Sequence, residues 1–176
     1  KCPLLSEIKM ECIGRNVLYS VEKSDSLKDF GVYPHSWICT LARCCKIRHL
    51  NLSRLQSLRM KSMNFKVLTL EVLNVSKTGI DDRSLYMISK SCLGLLQLDL
   101  ALCYDVTEKG VMQVAENCTQ LREINMRGCR KVAADVDLMV FIRPSLKKIM
   151  APPHFYCSQR KTKLFLRNGC FVKRSW

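Results

Sequence analysis

The residues of this chain best equipped for chemistry are its eleven cysteines and three histidines. A thiol serves as nucleophile, metal ligand or half of a disulfide, and each role asks for its own spacing. Cys92, Cys103, Cys118 and Cys129 lack the C-x2-C pair backed by a second pair that a structural zinc site needs. His35, His49 and His154 are scattered, and none sits in a hydrolase, kinase or metalloprotease signature. No G-x-G-x-x-G and no phosphate-binding loop occurs. Lys1-Cys2-Pro3-Leu4-Leu5 runs straight into Glu7 and Lys9, which reads against a secretory leader. With an odd cysteine count, that also reads against a disulfide scaffold. The expectation is a non-enzymatic protein with no catalytic residue, no cofactor and no metal, kept in a reducing compartment, the cytoplasm or nucleus. No apolar run approaches the roughly 20 residues that cross a bilayer, so no membrane association is expected.

The cysteines point to architecture instead. Cys92, Leu95, Leu98, Leu100 and Cys103 recur 26 residues later as Cys118, Leu121, Ile124, Met126 and Cys129. Both windows read C-x2-L-x2-[LI]-x-[LM]-x2-C. Degraded copies hold the same positions at Cys44, Ile47, Leu50, Leu52 and Leu55, and at Val67, Leu70, Leu73, Val75 and Thr78. Cys2, Leu5, Ile8, Met10 and Ile13 fit again, and Leu146 with Ile149 opens a last partial copy. From Cys44 the steps are 23, 25 and 26 residues. A recurring period of this length marks stacked supersecondary units that share a core.

Apolar, any residue, apolar is strand alternation, so Leu98 and Leu100 face one side and Asp99 the other. The cysteine that ends each strand suits a crowded corner, being small, apolar and polarisable. Behind the strands the period changes. Thr107 is a candidate N-cap, Glu108 sits in the first turn, and Val111, Val114 and Ala115 share one face. Leu85 and Ile88 mark a like helix one unit earlier. The expected fold is α/β, a solenoid with a parallel concave sheet and helices on the convex side.

Three regions follow. Residues 1–43 hold a degraded repeat and an irregular loop, since Cys2 to Cys44 spans neither one unit nor two. Ser24 to Pro34 reads as a turn-rich loop and Trp37 to Ala42 as a rear helix without its strand, left by a deletion or flanking an insertion. Residues 44–151 hold the cysteine-containing repeats, with Lys61 to Lys66 in place of one helix. Residues 152–176 form a basic cap after Pro152-Pro153.

The net charge of +14 is regional. Residues 43–66 carry seven cations and residues 143–176 carry nine, with no acid in either block. Phosphate binding needs such clusters, but the strand faces are not basic and aromatic platforms are few, so nucleic acid is not the expected partner. By alternation, the outward strand positions include His49, Asn51, Asn74, Ser76, Gln97, Asp99, Glu123, Asn125 and Arg127. Rigid strands preserve geometry, and these nine are the expected contacts for a protein partner.

The copies at Cys92 and Cys118 resemble the cysteine-containing leucine-rich repeats of F-box proteins. Leu70 to Ile149, followed by Leu166-Arg167-Asn168-Gly169-Cys170, is similar to the C-terminal part of plant F-box/LRR proteins. The first 43 residues match poorly. The resemblance implies a leucine-rich-repeat solenoid of about five to six repeats. It implies the substrate-binding part of an SCF-type E3 ubiquitin ligase directing proteasomal degradation, acting as a monomer. No F-box segment is found here, so docking to a Skp adaptor and cullin depends on an F-box upstream. The alternatives are a free-standing repeat scaffold unrelated to ubiquitin and a basic nucleic-acid-binding protein.

Overall fold

An apolar residue, one spacer and a second apolar residue make a strand too short to fold alone, so neighbouring copies must supply its hydrogen bonds. The structure, a computed structural model, describes residues 7–13, 16–20, 47–56, 58, 67–133, 136–156 and 158–173. Along the chain lie β1 (Glu7–Ile13), β2 (Asn16–Ser20), β3 (His49–Asn51), β4 (Val72–Asn74) and α1 (Asp82–Ser91). Then come β5 (Gln97–Asp99), α2 (Glu108–Asn117), β6 (Glu123–Asn125), α3 (Val136–Ile142), β7 (Lys148–Met150), α4 (Gln159–Arg167) and β8 (Phe171–Lys173).

The fold is α/β. Among the described residues one sheet holds all the strands in the order β2-β1-β3-β4-β5-β6-β7-β8. β1 and β2 pair antiparallel, and every other neighbouring pair is parallel. Ile8, Leu50, Leu73, Leu98, Ile124, Ile149 and Val172 stand in register, strand after strand. Leu73, Leu98 and Ile124 thus share one core, as their spacing requires. The row ahead of them is buried too, through Ile47, Leu70, Leu95, Leu121 and Leu146, as is the row behind, through Leu52, Val75, Leu100, Met126 and Ala151. Each such aliphatic side chain contributes about 1.5–3 kcal/mol when fully buried, and no single rung can bury its own.

The ladder outlasts the strands. Val75 donates to the Asp99 carbonyl at 3.0 Å, Leu100 to that of Asn125 at 2.8 Å and Met126 to that of Met150 at 2.8 Å. Two residues on, Arg54, Lys77 and Leu102 adopt φ of 66°, 57° and 61°, and Gly128 adopts 74°. These four hold one position of successive copies. The left-handed turn keeps the N–H in the ladder: Lys77 donates to Ala101 and Leu102 to Arg127, both at 2.7 Å.

On the far side of the core the helices follow their expected signals. Thr107 caps α2 by accepting from the Lys109 N–H, and Val111, Val114 and Ala115 are buried. Asp81 caps α1 by accepting from the Ser84 N–H, and Leu85 and Ile88 are buried. α2 has no cation in its last turn, and the next unit supplies one. Arg143 donates through Nε to the Ala115 carbonyl at 2.7 Å and through Nη2 to that of Glu116 at 2.8 Å.

Two elements depart from the sequence expectation. Asn16–Ser20, within the irregular stretch, is strand β2, and its Val17 and Tyr19 carry a strand propensity that lies outside the repeat spacing. The segment 152–176 does more than cap: it forms α4 and adds β8 to the sheet, Val172 opposite Ile149. The reason is a core contact, since Phe165 packs on Phe155 with ring centroids 6.2 Å apart and Cys170 is buried behind them. Asn168-Gly169 makes the predicted turn, Gly169 at φ +63°. The Ser24 to Pro34 loop, the Trp37 to Ala42 helix and the Lys61 to Lys66 stretch lie outside the described residues.

Candidate functional site

Strand alternation places all nine candidate residues on the sheet face away from the helices, or just beyond it. Two columns cross this open face. One runs His49, Val72, Gln97, Glu123, Lys148, Phe171, and the other Asn51, Asn74, Asp99, Asn125, Met150, Lys173.

The second column has local work to do. Asn51 Oδ1 accepts from the Ser53 N–H at 3.0 Å, and Asn74 Oδ1 from Ser76 at 2.9 Å. Asp99 Oδ1 accepts from Ala101 at 2.9 Å and Asn125 Oδ1 from Arg127 at 3.1 Å. Asn125 Nδ2 also donates to Asp99 Oδ2 at 3.1 Å. Each of the four closes a turn on the N–H two residues ahead, the interaction that favours Asn and Asp at such positions. Their outward placement therefore has a structural reason independent of any partner.

The first column is free of that duty. His49 and Gln97 are exposed and Glu123 is half-buried. Glu123 Oε2 meets Lys148 Nζ at 3.0 Å, an exposed pair that contributes roughly 0–1 kcal/mol. Nearby, Arg48 grips Glu71 through two nitrogens at 3.0 and 2.9 Å, which raises the pKa of its guanidinium.

A shallow concavity of about 510 Å³ lies over β4 to β8. Asn74, Gln97, Asp99, Glu123 and Asn125 line it, so five of the nine candidates come together there. His49, Asn51, Ser76 and Arg127 stand outside it, Ser76 half-buried and Arg127 exposed at the strand ends. Lys148, Met150 and Lys173 join the lining and were missed from the sequence. Their signal is in the sequence: Lys148 and Met150 flank Ile149 in the last partial copy, and only Lys173 falls within the 152–176 cap.

The cysteines sit where the repeat spacing assigns them. Cys92, Cys103, Cys118, Cys129 and Cys170 are buried free thiols. Cys103 Sγ donates to the Val75 carbonyl and Cys129 Sγ to the Leu100 carbonyl, both at 3.1 Å, so each reaches back to the preceding rung. Burial pushes Cys92 and Cys129 up to about 12 and Cys118 and Cys170 up to about 11, and it raises Cys103 as well. Such thiols stay protonated at neutral pH and are poor nucleophiles.

No protein-family model matches the chain. Among the described residues, no group of three or more His, Cys, Asp or Glu could hold a metal ion. No helix among them is long and apolar enough to cross a membrane.

Proposed function

We propose that this chain is a leucine-rich-repeat solenoid that recognises another protein on its concave sheet face, as the substrate-binding part of an SCF-type E3 ubiquitin ligase. The observation carrying the recognition reading is the split between the two columns of the open face. One is occupied by turn-closing Asn and Asp. The other presents Gln97, Glu123 and Lys148 on three successive rungs, polar side chains lining a shallow concavity of about 510 Å³. A broad shallow face with spaced polar groups suits a protein surface better than a small molecule, which favours a deeper enclosure. The buried cysteines, protonated and turned to backbone carbonyls, support a structural and non-catalytic role for the most reactive residues present.

The ligase assignment rests on the resemblance of the Cys92 and Cys118 copies to F-box/LRR proteins. In this reading an F-box encoded ahead of Lys1 docks a Skp adaptor and cullin, and the repeats hold the protein to be degraded.

The test has two arms. The natural full-length product is purified from its cells with Gln97→Trp on the concave face or Arg83→Trp on α1. Co-purification of Skp adaptor and cullin is expected with both variants, while Gln97→Trp alone should lose the bound partner protein and let it accumulate in the cells. Absence of adaptor and cullin overturns the ligase reading in favour of a free-standing scaffold. Equal partner binding by both variants overturns the concave-face reading.

A further inference from the structure

The sequence holds one Asn-Gly pair, Asn168-Gly169, and the recognition reading gives it no task. Asn before Gly is a reactive pair, because no Cβ shields the Gly nitrogen from the side-chain amide carbon ahead of it. The pair forms the exposed turn between α4 and β8. Native geometry holds its reacting groups apart. Asn168 ends α4 with φ −83° and ψ 4°. A ψ near zero eclipses the Gly169 nitrogen with the nitrogen of Asn168, whereas closing a five-membered ring through Cγ needs it eclipsed with Cβ. The substituents of Cα are tetrahedral, so ring closure demands a rotation of about 120° about the Cα–C bond. Hydrogen bonds oppose that rotation. Gly169 donates its N–H to the Leu166 carbonyl at 3.0 Å, and Cys170 donates to that of Phe165 at 2.9 Å. Asn168 Nδ2 donates to the Leu164 carbonyl at 2.9 Å. The turn is held in place by its neighbours: α4 is seated through Phe165 on Phe155, and the Phe171 N–H of β8 donates to the Lys147 carbonyl at 2.7 Å.

We propose that Asn168 is a self-modification site gated by the docking of this last unit, inert while α4 and β8 are seated and reactive once they lift. In the lifted state the Gly169 nitrogen gives up its proton and bonds to Asn168 Cγ. The Cγ–Nδ2 bond breaks, and the amide nitrogen leaves as ammonia with that proton, relayed by solvent. Water then opens the succinimide ring. Attack at Cγ gives aspartate, and attack at the main-chain carbonyl gives isoaspartate. Neither product restores the turn. The new carboxylate has no N–H for the Leu164 carbonyl and puts a negative charge at the negative end of α4. Lys147 Nζ, 3.5 Å from where a Cβ on Gly169 would stand, offsets part of that charge. It does not offset the extra methylene that isoaspartate inserts into the main chain between α4 and β8. The step is one-way, and it loosens β8, whose Lys173 lines the concavity.

The experiment ages the intact chain in mildly alkaline buffer, with and without urea, and follows Asn168 by peptide mass spectrometry with isoaspartate detection. Conversion is expected in urea and at least about tenfold more slowly in native buffer, the ratio being set by the opening equilibrium of the unit. Phe165→Leu, whose fold circular dichroism verifies, should raise the native rate several-fold and leave the urea rate unchanged. In the aged chain, amide exchange at Phe171 should accelerate while that at Leu98 and Ile124 stays slow. Asn168→Asp, which adds the charge without the methylene, should reproduce only part of that acceleration. Absence of conversion at Asn168 in urea overturns the site. Equal rates in native buffer and urea overturn the gating, as does a native rate untouched by Phe165→Leu. An aged chain whose Phe171 amide exchanges as slowly as before overturns the loosening of β8.

Discussion

Asp82, the first residue of α1, accepts hydrogen bonds from both the N–H and the hydroxyl of Thr107, the cap of α2. Thr107 Oγ1 in turn accepts from the Lys109 N–H at 3.3 Å. One carboxylate therefore fastens the start of one helix to the start of the next. The packing is close enough that a Cβ on Gly110 would lie 2.4 Å from Asp82 Oδ1. Asp82→Ala should destabilise the chain by about 2 kcal/mol, the range for hydrogen bonds to a charged group. Urea unfolding measures the loss. Amide exchange at Lys109 should accelerate at the same time. An unchanged midpoint would show that the two helices are held by apolar packing alone.

The left-handed position gives a prediction of opposite signs. Lys77 is exposed with φ 57°, a conformation that strains any residue with a Cβ. Lys77→Gly should stabilise by about 1 kcal/mol. Gly128 occupies the same position with φ +74°, and an added Cβ meets Leu102 Cδ2 at 2.4 Å. Gly128→Ala should destabilise by about 2 kcal/mol, combining strain and overpacking. Thermal melts of both variants decide it, and a shift of the same sign in both would refute the shared geometry.

Arg143 predicts how the rear helices depend on one another. Its guanidinium meets three carbonyls at and beyond the end of α2, those of Ala115, Glu116 and Thr119. Arg143→Met should cost about 2 kcal/mol. Arg143→Lys should recover less than half of that, because an ammonium cannot fork across separate carbonyls. Full rescue by lysine would reduce the effect to charge near a helix end.

The buried thiols set an alkaline limit on stability. Their folded pKa values lie above the unfolded value of about 8.5, chiefly because burial disfavours the thiolate. Below about pH 8.5 both states are protonated and stability should be flat with respect to these groups. Above it the unfolded chain loses protons that the folded chain keeps. Each such thiol then removes about 1.4 kcal/mol per pH unit until its folded pKa, about 11 to 12, is reached. Urea titrations under reducing conditions at neutral and alkaline pH should show a steep decline, shallower in Cys129→Ala. Iodoacetamide should spare Cys92, Cys118 and Cys129 until denaturant is added.

What could be read from the sequence follows from which constraints repeat. Leu73, Leu98 and Ile124 are legible because every rung must bury the same position, and Thr107 because a cap has its own chemistry. The hairpin strand Asn16–Ser20 and the edge strand β8 belong to no repeat spacing, so a periodic template could not find them. The candidate site was half legible. Alternation put nine residues outward, but it could not separate Asn74 and Asp99, which close turns, from Gln97 and Glu123, which do not. That distinction lies in where an Asx oxygen points, which depends on the backbone two residues ahead.

The register of the open face has a geometric consequence for anything lying across it. Rungs advance by about 4.8 Å and an extended chain by about 3.3 Å per residue, so three residues span two rungs. A segment crossing the strands meets the first column as a vernier scale, every third residue facing every second rung. Two interleaved sets of contacts result, His49, Gln97 and Lys148 in one phase and Val72, Glu123 and Phe171 in the other. A slip of one rung exchanges a wholly polar set for one with two apolar members, so any segment laid across this face would meet different chemistry in each phase.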